Sequence, residues 1–472
     1  MTLTLKQIKD YPKLDPKQVN SEYAKTYEAF KHKIVVLDDD PTGVQTVHSV
    51  SVYTDWEKET IERGFQEDNQ IFFILTNSRA FSAQKTEEVH RTIAQRVKEA
   101  AASFNQPFLI ISRGDSTLRG HYPLETDVMR QELGEMDGEV ILPFFEQGGR
   151  LTIDNVHYVQ QGEELIPAGE TEFAGDRTFG YQASDLTEWV EEKTEGAYKA
   201  EDVTTITLES IRSFAIDEIE AQLLAVKDFQ KVVVNAIEEQ DVRVFSIALM
   251  KAIQKGKTYL YRTAATFTKV IGNVSTRELL TRGELIQKDS VNGGLVVIGS
   301  HVKKTTEQLE ALMELDAPVF IQFNSHLVLK KSSFTEEVAR VKKEAEDAIA
   351  SGVTAVIYTR RERLDLGEGM KEEELALSVE ISLALTNIVR TLAVTPNYVI
   401  AKGGITSSDV GTNGLQVKRA IVKGQVAPGI PVWETDEGST FPHIPYVIFP
   451  GNVGQIETLK EVVELLEQKQ IN

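Results

Sequence analysis

Three adjacent carboxylates, Asp38, Asp39 and Asp40, run straight into Pro41, Thr42 and Gly43. Like charges this close repel, so a buried triplet needs a cation, a metal ion or a shared proton beside it. A solvated turn, with one Asp accepting an Asx-type bond from the backbone, is the plainer alternative. A second group, Arg113, Gly114, Asp115, Ser116, Thr117, Leu118, Arg119, Gly120 and His121, joins a carboxylate, two hydroxyls and two guanidiniums. Guanidinium forks bind carboxylates in bidentate fashion, and Gly114 and Gly120 let backbone approach a ligand or take positive φ. A third group, Asn77, Ser78 and Arg79, repeats the theme. Carboxylates, arginines and hydroxyls gathered together describe a pocket for a small, hydroxyl-rich acid. Salt bridges between these arginines and Asp38–Asp40 are the structural alternative, and both can hold at once.

The C-terminal half carries different chemistry. Gly299-Ser300, Gly403-Gly404-Ile405-Thr406 and Gly451-Asn452-Val453-Gly454 are glycine turns able to present backbone N–H groups to phosphate. None is a Walker A or GxGxxG sequence, and ordinary turns are the competing reading. Lys402 before the glycine pair and Thr406 after it favour phosphate. The eight histidines show no HxxH or HExxH spacing, and no G-x-S-x-G elbow is present. With no cysteine, disulfides and thiolate metal sites are excluded.

Each group must be held by an element. Apolar runs at 34–37, 71–75 and 108–112 end immediately before the three N-terminal groups, and further strand-like runs lie at 50–53, 140–143 and 231–235. Helical patterns at 85–104, 123–136 and 242–254 separate them, with Pro123 suited to a first helical turn. This alternation predicts βαβ units and a largely parallel sheet, whose carboxyl edge is where open α/β sheets bind ligands. Residues 145–185, rich in glycine, read as long loops and hairpins over the sheet. After Asn292-Gly293-Gly294 the pattern resumes, with strands near 294–298, 318–323, 354–358, 398–401 and 446–449 and helices at 305–315, 335–350, 371–393 and 455–468. The expected fold is therefore two α/β domains with largely parallel sheets: a helical extension at 1–32, a first domain at 33–285 and a second at 293–472.

Length agrees with two cores, since 472 residues exceed one ordinary domain. A net charge of −21, from 51 Lys+Arg against 72 Asp+Glu, argues against a nucleic-acid partner, though a local arginine cluster can still hold a small anion. No apolar run reaches the roughly 18 residues of a membrane span, and the N-terminus has no signal-peptide core. A cytoplasmic protein is expected, with self-association left open.

With both halves in view, residues from about 33 to 465 resemble the four-carbon acid sugar kinases, in which an N-terminal domain binds an acid sugar and a C-terminal domain binds ATP. Asp38 to Gly43 looks like the family's Asp-Asp-x-Thr-Gly signature, Asp115 to Gly120 is similar to its most specific motif, and the three glycine turns look like its nucleotide-site turns. The chain departs from the family pattern at Asp40-Pro41, at Arg113 and His121, at Ile405 where an acidic residue is common, and at Phe449-Pro450 where a lysine is frequent. The resemblance implies an ATP-dependent kinase, with Mg²⁺, that phosphorylates a hydroxyl of a small acid sugar such as a tetronate or oxo-tetronate in carbohydrate catabolism. Asp39, Asp115 and Arg119 would be catalytic, with Asp39 or Asp115 as general base. Asp38, Asp40, Thr42, Asn77, Ser78, Arg79, Arg113, Ser116, Thr117 and His121 would bind substrate. Gly299, Ser300, Lys402, Gly403, Gly404, Ile405, Thr406, Gly451, Asn452 and Gly454 would bind nucleotide, and no residue is assigned as a metal ligand. The alternatives are a non-catalytic acid-sugar sensor on the same fold, motivated by Ile405 and Phe449-Pro450, or a kinase for a branched or longer acid.

Overall fold

Continuous Val/Ile/Leu runs can be buried on both faces only inside a sheet covered by helices, and the N-terminal half of the chain builds such a sheet. In the computed structural model, which describes residues 2–8, 11–286, 290–362, 364, 366–367 and 370–467, seven strands pair in parallel. Their order is Thr204–Ile206, Gln230–Val234, Gly138–Leu142, Tyr259–Thr263, Phe108–Arg113, Lys33–Asp38 and Ile71–Leu75. Every residue of Lys33–Asp38 is buried. Its register sets Asp38 beside Arg113 on one side and Leu75 on the other, so the three N-terminal motifs emerge next to one another at the carboxyl edge.

The helix Ala83–Phe104 connects two of these strands. Ser82 accepts from the Lys85 N–H at its start, and Asn105 closes it in the left-handed region. Val89, Ile93 and Val97 face the core at the spacing of a helical stripe. The N-terminal extension contains a helix, Pro16–Ala29, capped by Asp15 and anchored where the Tyr23 hydroxyl donates to the Val270 carbonyl. The glycine-rich stretch is a set of hairpins, as expected. Arg150–Ile153, Val156–Gln161 and Glu164–Pro167 pair antiparallel, and Leu3–Thr4 adds to the last of them. Tyr259–Thr263 is a central strand that sequence pattern did not single out, because its charged fourth residue, Arg262, breaks the apolar run.

The other sheet has five parallel strands in the order Val319–Phe323, Ala355–Thr359, Leu295–Ile298, Val399–Lys402 and Pro445–Phe449. Ile430–Thr435, Arg419–Ala427 and Ser51–Tyr53 continue it antiparallel. Its core packs Val296, Ile298, Val356, Ile400, Val447 and Phe449 against Leu309, Leu459, Val462 and Val463. Both units are α/β. They comprise Met1–Thr46 with Asp55–Ser275, and Val47–Thr54 with Thr276–Asn472. The run at 50–53, placed by pattern in the first domain, thus pairs with Arg419–Ala427 of the second. Between the two expected domain ranges, residues 287–289 lie outside the described residues. Among the described residues no helix is long and apolar enough to cross a membrane.

Candidate active site

In the first unit, charge pairing follows directly from strand register. Asp38 is 1% exposed, and Arg113 Nη1 lies 3.3 Å from its Oδ1 and 3.7 Å from Asp39 Oδ1. Gly43 cannot carry a side chain, since a Cβ there would sit 2.0 Å from either Asp38 carboxylate oxygen. Arg79 binds Asp40 through Nη2, approaches Asp115 Oδ1 at 3.4 Å and stands 3.8 Å from Asp39 Oδ2. Asp40 also accepts from the Thr42 N–H at 2.8 Å and from its hydroxyl. The Asx turn and the arginine pairing are therefore both present.

The carboxylates are not equivalent. Burial pushes Asp38 up to about 7 against the pull of Arg113, and burial likewise raises Asp39 above its ordinary value despite Arg79 and Arg113. For Asp40 burial acts upward too, but Arg79 and the Thr42 bonds outweigh it and the carboxyl ends below its ordinary value. Asp115 falls well below it, because Arg79, Arg119 and Thr117 overcome its burial. Arg119 Nε donates to Asp115 at 2.8 Å and the Thr117 hydroxyl also donates to it. Asp38 Oδ2 and both oxygens of Asp39 are buried without a hydrogen-bond partner.

The other residues expected to meet substrate also have partners within the fold. The Ser78 hydroxyl donates to Glu125 at 2.7 Å. Asn77 adopts a left-handed conformation that starts the short turn Ser78–Ala80. The Ser116 and Thr117 carbonyls accept from His157 Nε2 and the Tyr181 hydroxyl, each at 2.8 Å. His121 Nε2 donates to the Phe81 carbonyl at 3.0 Å, and its ring meets Phe179 edge-on.

Sequence reasoning missed Arg262, Glu125 and His157. Arg262 is 3% exposed and donates to the carbonyls of Arg119 at 2.9 Å, Thr263 at 3.3 Å and Asp115 at 3.4 Å. Its guanidinium fills the space beside Gly114, where a Cβ would meet Nη1 at 2.1 Å. One buried cation thus braces the whole Gly114–Gly120 turn. The available signal was an arginine one residue from the end of an otherwise apolar and aromatic run. Glu125 accepts from Ser78 and Ser112 at 2.7 and 3.0 Å. Burial lowers the His157 pKa to about 4, so its ring is neutral at physiological pH.

In the second unit the three glycine turns converge. The Gly403 N–H donates to the Phe449 carbonyl at 2.8 Å, and Thr305 ties Gly451 through its hydroxyl at 2.8 Å. A Cβ on Gly299 would lie 2.3 Å from Thr406 Oγ1, and one on Gly403 2.8 Å from Ser300 Cβ. Gly404 has open space on that side and begins the helix Gly404–Asp409. Ile405 is 73% exposed on that helix, while Asn452 is exposed and Gly454 takes positive φ. Lys402, expected to face nucleotide, is fully buried instead. Its ammonium donates to the Pro450 and Gly451 carbonyls and sits 4.1 Å from the Phe449 ring centroid. Lys402 thus braces the last glycine turn beside Phe449-Pro450, and Ile405 leaves the convergence of turns intact.

Comparison with known proteins agrees with this division. The chain matches the sugar-binding N-terminal domain family over residues 34–271 and the nucleotide-binding C-terminal domain family over 295–459. It is 25% identical to the D-erythronate kinase of Heliobacterium modesticaldum over 466 residues, covering 92% of this chain and 97% of that protein. The fold is shared with a crystal structure of a Haemophilus influenzae protein (18% identity, TM-score 0.60, 91% of this chain and 99% of that one). A Salmonella typhimurium LT2 protein has it too (16% identity, TM-score 0.65, 91% and 98%). With a sugar-binding unit ending in paired aspartates and arginines and a nucleotide-binding unit of converging glycine turns, the chain belongs to the four-carbon acid sugar kinase family.

Proposed function

We propose that this protein is an ATP-dependent kinase that phosphorylates a hydroxyl of a four-carbon acid sugar, erythronate or a close relative. The observation that carries this reading is Asp39. Its carboxylate is 4% exposed, has no hydrogen-bond donor on either oxygen, and stands 3.7–3.8 Å from two arginines. Burial raises its pKa, which gives it more basicity than an ordinary aspartate. A hydroxyl arriving there supplies the missing donor and loses its proton to the same oxygen as it attacks. Asp115, by contrast, is saturated by Arg119, Arg79 and Thr117 and is a poor base. It serves instead to fix Arg79 and Arg119, the cations that would steady the substrate and the transferring group.

Phosphoryl transfer is largely positioning and charge neutralisation. The nucleotide is assigned to the second unit, where Gly404 leaves its backbone open to a phosphate and the Ser300 and Thr406 hydroxyls flank the turns. Mg²⁺ would neutralise the phosphate charge. The kinship with a D-erythronate kinase supports the four-carbon class. The direct experiment is a phosphotransfer screen of four-, five- and six-carbon aldonates with ATP and Mg²⁺, reading the phosphorylated acid by mass and ³¹P resonance. ADP release without a phosphorylated acid would defeat the proposal.

A further inference from the structure

The arginines around Asp39 and Asp115 differ in how their charge is met. Arg79, Arg113 and Arg119 each lie within 4.0 Å of a carboxylate oxygen. Among the described residues Arg262 donates hydrogen bonds to carbonyls, is almost fully buried, and has the Glu125 carboxylate close enough to feel its charge. Arg150 is the odd member. It begins the hairpin strand Arg150–Ile153, and its position is pinned by paired backbone bonds with Phe145, at 2.9 and 3.0 Å. Its guanidinium packs on the Phe173 ring, 5.8 Å from the centroid, beside that of Arg119 at 5.1 Å. Among the described residues its guanidinium makes one hydrogen bond, from Nη1 to the Gly148 carbonyl, and its Nε is buried without a partner.

Among the described residues no carboxylate oxygen comes within ion-pair distance of Arg150. Burial pulls its pKa below the usual arginine value, and Arg119 adds to that while Asp115 opposes it. Arg79, more deeply buried still, goes the other way because Asp39, Asp40 and Asp115 surround it. A partly desolvated cation held rigidly with no carboxylate at ion-pair distance is costly. It is retained where a ligand brings the anion. Arg150 remains partly exposed, so a ligand can reach it.

We infer that Arg150 reads the carboxylate of the acid sugar, making it the residue that separates acids from neutral sugars at this site. The inference rests on the kinase reading above. Asp39 takes the reacting hydroxyl, and Arg150, together with Arg119 on the shared Phe173 ring, takes the charged end of the substrate. Arg119 already has Asp115 and Asp176 as partners, at 2.8 and 3.9 Å, so the anion falls chiefly to Arg150. Specificity then comes from an unpaired cation, which penalises an uncharged polyol by leaving the guanidinium without its anion.

The test compares Arg150→Gln and Arg150→Lys with the wild type on a four-carbon aldonate and on the neutral four-carbon polyol. Each enzyme is also titrated with the aldonate alone by calorimetry, and its thermal unfolding is recorded. In R150Q the KM for the aldonate should rise on the order of 10–100-fold, more than kcat falls, and the preference for aldonate over polyol should shrink by a similar factor, while the KM for ATP moves far less. R150K should recover much of the lost affinity, because the charge is what the site lacks. An equal loss of kcat on aldonate and polyol would overturn the inference, assigning Arg150 to phosphoryl transfer. So would an aldonate KM in R150Q equal to that of the wild type, which leaves the kinase reading standing. If R150Q fails to fold, R150K decides: retained preference for acid over polyol supports the role, and lost preference refutes it. A wild type that neither binds nor phosphorylates any four-carbon acid would bring down the kinase reading and this inference together.

Discussion

Replacing Asp39 by Asn separates the proposed chemistry from a structural salt-bridge cluster. The two oxygens of Asp39 accept no hydrogen bond, and its arginines stand off at 3.7 and 3.8 Å. Arg113 keeps Asp38 at 3.3 Å, and Arg79 keeps Asp40 and Asp115. No buried bond is lost, so the folded state should change by about 1 kcal/mol or less. The sign at neutral pH favours the variant. A carboxyl whose folded pKa is raised contributes stability below its ordinary value and loses it as pH climbs through the raised one. Asparagine removes that loss. Turnover should behave very differently: with the base gone, kcat should fall by about 10²–10⁴, or roughly 2.7–5.5 kcal/mol in the barrier at about 1.36 kcal/mol per tenfold. Asp115→Asn gives the opposite profile. It breaks contacts with Arg119 at 2.8 Å, Arg79 at 3.4 Å and Thr117, and should cost about 3–5 kcal/mol of stability, the scale for breaking a buried pair, along with a raised KM for the acid. Coupled ADP release at saturating substrates, paired with thermal unfolding of both variants, reads the contrast. An Asp39→Asn enzyme with kcat within about threefold of wild type, or one that unfolds as readily as Asp115→Asn, would refute the reasoning.

Asp38→Asn should flatten stability against pH. The wild-type carboxyl is raised to about 7, so its contribution is present below the ordinary carboxylate range and fades as pH rises through about 7. Unfolding curves of the two proteins that stay parallel from pH 4 to about pH 8 would remove Asp38 from that account. Replacing Gly404 by valine places bulk in open space, so the fold should persist while the KM for ATP rises about tenfold or more and that for the acid stays put; equal shifts in both would count against the nucleotide assignment. Arg262→Met strands the carbonyls of Asp115, Thr263 and Arg119. A stability loss of about 2–4 kcal/mol is expected, on the scale of several buried acceptors left unmade. A variant as stable as wild type would mean the turn is held by other contacts.

Much of this arrangement is local and therefore legible in the residues themselves. An apolar run followed at once by Asp38-Asp39-Asp40, by Asn77-Ser78-Arg79 or by Asp115–Arg119 specifies a strand with polar groups at its carboxyl end, and parallel pairing then aligns those ends without further instruction. The glycine turns of the second half follow the same rule. Which aspartate is left without a donor is a different kind of fact. Asp115 is satisfied by Arg119 four residues on and by Arg79 from another strand end, whereas Asp39 lies between two arginines that are bonded elsewhere. Arg262 reaches the Asp115–Arg119 turn across 143 residues of chain, and Ser51 meets Arg419 across 368. That Lys402 and Ser78 also brace the fold is likewise set by groups remote in sequence. Periodicity and turn chemistry act over a few residues, so they set the strands and their polar ends. The state of each buried charge depends on the few ångströms separating it from groups remote in sequence, and only the folded chain sets those distances.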